Sequence, residues 1–353
     1  MSKFLAKRLS SLKEYVPGEQ PGDMQYIKLN TNESPYPPST GVFAAMTDDE
    51  ITKLNLYPSP DGTALIDAIA GLYGVTSENV IIGNGSDELL AFAFLAFCDG
   101  GAAFPDITYG FYPVYAKLYG IEALEIPLND DFTIDPADYF NLGRAIFIAN
   151  PNAPTGLALG LEQIEAILKN NPDNVVVIDE AYVDFGAESA IGLTHRYDNL
   201  IVMHTYSKAR SMAGARLAYA IAQKPLIDDL NKMKYSFNPY NVNRLTQVMG
   251  IAAIKDDAYY KENCRKIAET RDYTAARLKA LGFSVTDSRA NFIFAQHSAI
   301  SGAKLYSMLK EKGILIRHLN KPRIADYLRI TVGTREDMDK TLDAIESVLG
   351  GLE

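Results

Sequence analysis

Thr205, Ser207, Lys208 and Arg216 place two hydroxyls and two cations in one short stretch, Thr205-Tyr206-Ser207-Lys208-Ala209-Arg210-Ser211-Met212-Ala213-Gly214-Ala215-Arg216. The stretch follows the apolar run Leu200-Ile201-Val202-Met203, which reads as a buried strand. Upstream, the apolar run Val175-Val176-Val177-Ile178 ends in Asp179-Glu180-Ala181-Tyr182. One strand delivering an aspartate and another delivering a lysine suit a cofactor that needs both a carboxylate and an amine. Pyridoxal phosphate is such a cofactor: a lysine bonds its aldehyde and an acid partners its pyridinium nitrogen. Taken alone the pair means little, because most lysines are solvated and most strand-end aspartates cap a turn.

Three further segments add weight. Gly83-Asn84-Gly85-Ser86-Asp87-Glu88 joins a strand to a helix, and a helix start offers free N–H groups to an anion. A well-capped helix needs no ligand, so this segment is ambiguous by itself. Tyr109, in Pro105-Asp106-Ile107-Thr108-Tyr109, follows the next strand, where an aromatic ring can stack on a planar cofactor. Asn150-Pro151-Asn152-Ala153-Pro154-Thr155-Gly156 is a stiff loop with side-chain amides. All of these lie where strands end, which is where open α/β sheets bind ligands.

The elements that position these residues follow from apolar periodicity. Strands are expected at 79–82, 102–104, 144–149, 175–178 and 200–203, with helices at 86–97, 111–118 and 161–169 between them. Strands apolar on both faces and separated by helices predict a mostly parallel, doubly covered sheet. Beyond about residue 245, a long helical region from 244 to 281, interrupted near Asp256-Asp257, precedes strands at 283–285, 291–294, 314–316 and 328–332 and helices near 302–312 and 335–349. This predicts an N-terminal arm over 1–40, a large α/β domain over 41–243 and a smaller α+β domain over 244–353.

Composition narrows the function. A net charge of -10 argues against nucleic acid or an anionic membrane as the main partner. Two cysteines, Cys98 and Cys264, imply no disulfide framework and a reducing compartment. No secretory leader is legible and no apolar run is long enough to span a bilayer, so a cytoplasmic location is expected. The four scattered histidines suggest no metal site, and neither a dinucleotide-binding nor a P-loop fingerprint is present.

These motifs resemble those of fold-type I pyridoxal-phosphate-dependent aminotransferases of class I and II, and within them the histidinol-phosphate aminotransferases. The resemblance runs from Tyr15-Val16-Pro17-Gly18 and Leu29-Asn30-Thr31-Asn32-Glu33-Ser34-Pro35 to Leu328-Arg329-Ile330-Thr331-Val332-Gly333-Thr334-Arg335. It implies that Lys208 is the Schiff-base lysine, that Asp179 pairs with the ring nitrogen and that Tyr182 bonds the ring 3-oxygen. Thr205, Ser207, Arg216 and the Gly85-Ser86-Asp87 segment are implied to hold the phosphate, with Tyr109 stacked on the ring. Tyr57 is implied to reach the phosphate of a neighbouring subunit, making a homodimer to which the N-terminal arm also contributes across the interface. Arg329 is implied to grip the substrate carboxylate and Arg317 the substrate phosphate, with Tyr15 and Asn32 lining the substrate pocket. The chain departs from the pattern at Ala153, where an asparagine usually contacts the ring 3-oxygen: either Asn152 takes over or Tyr182 acts alone. It also has Ala218 where glycine is usual.

The resemblance implies transamination of histidinol phosphate with the glutamate/2-oxoglutarate pair, in histidine biosynthesis, by ping-pong kinetics. An aromatic amino-acid aminotransferase and a threonine-phosphate decarboxylase are the rival readings.

Overall fold

Alternation along the apolar strands builds two cores on one sheet. In the computed structural model, which describes residues 2–22 and 24–351, Ile82, Ile146, Ile178 and Val202 face one way and Ile81, Phe147, Val177 and Ile201 the other. Helices Thr63–Tyr73, Leu161–Lys169 and Arg244–Lys255 cover the first face. Helices Ser86–Phe97, Tyr112–Tyr119 and Lys224–Phe237 cover the second. Each fully buried Ile, Leu or Phe contributes about 1.5–3 kcal/mol, so a sheet apolar on both faces is stable only when doubly covered.

The sheet has seven strands in the order Val80–Gly83, Ala218–Ala222, Leu200–Thr205, Val176–Asp179, Ala145–Ala149, Ala102–Pro105, Ala123–Ile126. Only Ala218–Ala222 runs against both its neighbours, so the sheet is mostly parallel, as expected of this α/β class. The carboxyl ends of the other strands therefore open on one edge.

The long helical region breaks at Asp256 into Arg244–Lys255 and Asp257–Ala280. Ala253, Ile254 and Tyr260 pack in the core of the large sheet, whereas Cys264, Ile267 and Leu278 pack in a second core. That second core lies on an antiparallel sheet of four strands, ordered Arg317–His318, Leu328–Thr331, Phe292–His297, Phe283–Val285. The single strand expected at 314–316 is two pieces: Ile314–Leu315 pairs in parallel with Ile27–Lys28, and Arg317–His318 pairs with Leu328–Thr331. The segment just before Asn30 is thereby fastened to the second core, where Leu29 is buried.

Among the described residues, no helix is long and apolar enough to cross a membrane. No cluster of three or more His, Cys, Asp or Glu side chains there could hold a metal ion. Cys98 and Cys264 are both buried and unpaired.

Candidate active site

The strand ends meet the second core around a cavity of about 710 Å³. Ser86, Asp87, Tyr109, Asp179 and Tyr182 line it from the large sheet, as do Thr205, Ser207, Lys208 and Arg216. Asn32, Arg317 and Arg329 line it from the opposite side, and Tyr15 lines it from the arm.

Asp179 is the last residue of its strand and 4% exposed. Its carboxylate accepts from the Tyr112 hydroxyl at 3.2 Å and from the Ala181 amide at 3.2 Å. Burial pushes its pKa up to about 6, against the lowering effect of those two donors. Among the described residues no cation pairs with it, so a buried carboxylate faces the cavity with only neutral donors. A protonated ring nitrogen is the kind of group that fits such an acid.

Lys208 follows the Leu200–Thr205 strand, and its Nζ donates to the Thr31 carbonyl at 2.9 Å. Burial, then the charge of Arg329, lowers its pKa to about 8. The Tyr182 ring lies 5.8 Å from Nζ. The Tyr182 hydroxyl accepts from Asn32 Nδ2 at 3.0 Å, and burial raises the phenol's pKa, so it remains a proton donor.

At the start of helix Ser86–Phe97, Gly85 has φ 79°, ψ 159°, a conformation side-chain-bearing residues avoid. A Cβ there would stand 2.3 Å from Arg216 Nη2. Glycine is what lets the guanidinium close on the helix N-terminus, with Nη1 3.5 Å from Ser207 Oγ and Nη2 3.2 Å from Asp87 Oδ2. The Thr205 hydroxyl accepts from the Ser207 amide at 3.1 Å. Helix N-terminus, guanidinium and hydroxyls make a cradle whose donors suit a phosphate. Asp87 Oδ1 also accepts from the Tyr109 hydroxyl at 2.6 Å, which fixes that ring over the cavity wall.

Arg329 donates to the Asn30 carbonyl at 2.9 Å, and its buried Nε has no protein partner. Arg317 donates to the Val16 and Pro17 carbonyls at 2.9 and 3.1 Å. Neither arginine makes an ion pair with a carboxylate among the described residues, although Arg317 lies near enough to Glu19 to lower its pKa.

Three expected residues are not brought to this cavity. Gly85 acts from behind Arg216, as above. Tyr57 is 77% exposed and stacks on Tyr240 at 4.5 Å, and its chain neighbours Leu54 and Leu56 are exposed too. Asn152 is 2% exposed and committed to its own loop: it accepts from Thr108 and donates to the Ile107 carbonyl and Thr155. Its amide is thus spent on loop geometry and is no substitute for the side chain missing at Ala153, which does line the cavity. Tyr15, on the arm, stacks on Phe111 at 4.3 Å beside Tyr109 and lines this chain's cavity.

Sequence reasoning missed Tyr112 and the Thr31 carbonyl. Tyr112 had a signal, lying one helical turn after Tyr109 on the same strand-to-helix connection; a carbonyl has none.

The family description "Aminotransferase class I and II" fits residues 24–345. The chain is 52% identical over 352 residues to a histidinol-phosphate aminotransferase of Brachyspira hyodysenteriae, covering 99% of each. It is 52% identical over 353 residues to one from a Marinomonas species, covering 99% of this chain and 100% of the relative. The fold matches a histidinol-phosphate aminotransferase of Sinorhizobium meliloti in complex with pyridoxal-5'-phosphate, with a TM-score of 0.85 and 24% identity, covering 93% of this chain and 92% of that one.

Proposed function

The chain belongs to the class I and II aminotransferases, and from that membership we propose that it moves the amino group of histidinol phosphate to 2-oxoglutarate, using pyridoxal 5'-phosphate. One observation supports this substrate in particular: Arg317 and Arg329 are direct cross-strand partners, and both line the cavity. Histidinol phosphate carries no carboxylate; its anion is a phosphate ester bearing up to two charges. Glutamate presents an α-carboxylate instead. Two adjacent guanidiniums suit a site that must take both anions, whereas an aromatic amino acid needs only one of them.

Pyridoxal phosphate, when bound, supplies an aldehyde that captures amines and a cationic ring that draws electrons from the substrate. The chain's own residues do the rest. Arg216, Ser207, Thr205 and the Ser86 and Asp87 amides would hold the phosphate, Asp179 would keep a proton on the ring nitrogen, and Tyr109 would cover the ring. Lys208 would be the amine that holds the aldehyde, and its Nζ, when free, would be the base that takes the proton from the substrate's amine-bearing carbon. Tyr15, stacked on Phe111, would border the substrate from the arm side.

The test is an assay of purified protein with histidinol phosphate and 2-oxoglutarate. Turnover to glutamate supports the proposal; carbon dioxide release from threonine phosphate, or turnover of phenylalanine alone, overturns it. Arg317→Leu separates the substrates. Losing a charged hydrogen-bond donor costs about 1.5–3 kcal/mol, so KM for histidinol phosphate is expected to rise roughly tenfold to a hundredfold. The half-reaction with glutamate, held by Arg329, is expected to change far less. Equal losses in both would make Arg317 a scaffold residue.

We further propose a homodimer in which Tyr57 completes the partner's phosphate site. Its exposure, that of its chain neighbours Leu54 and Leu56, and the Arg244 bond to the Tyr57 carbonyl support this reading. Tyr57→Phe is expected to weaken cofactor binding about tenfold, the scale of one lost hydrogen bond to a charged group. At limiting cofactor, mixing Tyr57→Phe with Lys208→Ala subunits is expected to give heterodimers with one site each of native cofactor affinity. Absence of complementation would place the tyrosine's action within its own subunit.

A further inference from the structure

The hydrogen bonds around Asn32 have only one consistent direction. Its backbone N–H can only donate, and it donates to Thr331 Oγ1 at 2.9 Å. The same Thr331 hydroxyl lies 3.0 Å from Asn32 Oδ1, an atom that can only accept, so Thr331 spends its proton there. The side-chain amide is thereby oriented with Nδ2 toward Tyr182, 3.0 Å from its hydroxyl oxygen. Nδ2 can only donate, so the Tyr182 oxygen accepts. No other partner of the Tyr182 hydroxyl lies among the described residues, and the ring borders the cavity near Lys208. The remaining direction for the Tyr182 proton is into the cavity.

The backbone is shaped for this arrangement. Asn32 adopts φ 57°, a left-handed conformation that asparagine tolerates better than most residues. Its carbonyl is held by Asn291 Nδ2 at 2.9 Å. Asn32 and Thr331 are 1% and 2% exposed. The segment that carries Asn32 comes from the arm, Thr331 from the second core and Tyr182 from the large sheet, so the chain of bonds spans all three.

We infer that Asn32 and Thr331 are positioning residues: together they force Tyr182 to donate, not accept, toward the oxygen of a bound cofactor ring. Ala153 offers only a methyl at the same cavity, and Asn152 is committed elsewhere, so no loop amide shares the task. Tyr182 is then the donor, and its direction is set from behind. This inference rests on the reading of Tyr182 as a cofactor contact.

The test uses variants that keep shape and change hydrogen-bond direction. Asn32→Asp replaces the donor by an acceptor, so the Tyr182 proton turns back to residue 32. Thr331→Val removes the hydroxyl that orients the amide. Tyr182→Phe is the reference, because it removes the donor outright. Two quantities are read: pyridoxal phosphate affinity by titrating cofactor-free protein, and the pH at which the bound cofactor's visible absorption changes form. A donor to the ring oxygen favours the anionic ring oxygen, so losing it shifts that transition to higher pH and weakens binding about tenfold. Asn32→Asp is expected to match Tyr182→Phe in both, and Thr331→Val to shift both in the same direction by less. If Tyr182→Phe shifts both while Asn32→Asp and Thr331→Val, folded and melting like wild type, shift neither, the inference is overturned. If Tyr182→Phe itself changes neither, the cofactor-contact reading fails and the inference with it. If Asn32→Asp does not fold, Thr331→Val decides between the same outcomes.

Discussion

Lys208→Ala is expected to lower turnover by at least about 10⁴-fold while leaving a folded protein that still takes up pyridoxal phosphate. The size follows from two jobs held by one nitrogen, covalent capture of the aldehyde and transfer of the substrate's proton, neither of which alanine performs. Retention of the fold follows from the site. The Lys208 amine makes a single hydrogen bond, to the Thr31 carbonyl, and its burial already disfavours its charge. Removing it relieves a desolvated cation and costs only the packing of its methylene stem. The phosphate cradle of Arg216, Ser207 and the Ser86–Phe97 helix start is untouched, so non-covalent uptake persists. The measurements are steady-state turnover, melting temperature, cofactor content after gel filtration, and turnover with an added small primary amine, which is expected to restore part of the rate. Near-normal turnover would remove Lys208 from the chemistry. Loss of fold would mean that its stem and its tie to Thr31 bear more of the stability than this geometry implies.

Much of the sheet was legible because its strands declare themselves. Val176–Asp179 and Leu200–Thr205 are apolar on both faces, and with helices between such runs the pattern points to a parallel sheet covered on both sides. Helices Ser86–Phe97 and Leu161–Lys169 and the break at Asp256 follow from spacing and charge in the same way. Two strands escaped. Ala218–Ala222 is alanine-rich, carries little strand preference, and runs antiparallel without a preceding crossover helix. Ala123–Ile126 is a sheet edge with three exposed residues, so it lacks the apolar signature of its neighbours. The pairing of Ile27–Lys28 with Ile314–Leu315 joins segments far apart in the chain through two residues each, too few for any periodicity.

The site shows the same division. Residues at parallel strand ends were readable, since the topology sends every such end to one edge. What the second core contributes depends on register: Arg317 faces Arg329 only because Arg317–His318 pairs antiparallel with Leu328–Thr331. Asn152 shows the limit most plainly. Residue type and position nominated it, but the direction of its side chain is set by Thr108, Thr155 and the Ile107 carbonyl, three contacts that exist only in the folded loop. Tyr112 is the converse, an aromatic marked only by its spacing from Tyr109, whose hydroxyl meets Asp179 across two elements.

Asp179→Asn is expected to act in opposite directions on catalysis and on stability. In the loaded enzyme the carboxylate is the group that would keep the ring nitrogen protonated, so an amide of the same shape should leave binding possible but cut turnover by roughly 10²- to 10³-fold or more. In the cofactor-free protein the same carboxylate is a liability: 4% exposed, without a cationic partner, its pKa is raised from 3.8 to about 6. The folded state therefore holds this proton more tightly than the unfolded chain. Stability contributed through Asp179 is greatest below about pH 4, is lost as pH rises toward 6, and is absent above it. That rise corresponds to about 3 kcal/mol. Asparagine has no such titration, and the Tyr112 hydroxyl can turn to accept from its new N–H. The cofactor-free variant should thus melt higher than cofactor-free wild type at pH 7–8, with the two curves converging as pH falls toward 4. Saturating both with pyridoxal phosphate should shrink or reverse the difference, because the bound ring gives the wild-type carboxylate the partner it lacks. Melting curves against pH, with and without cofactor, read all of this. Parallel pH profiles would mean that Asp179 is not the strained acid described here, and unchanged turnover would mean that the ring nitrogen is served by another residue.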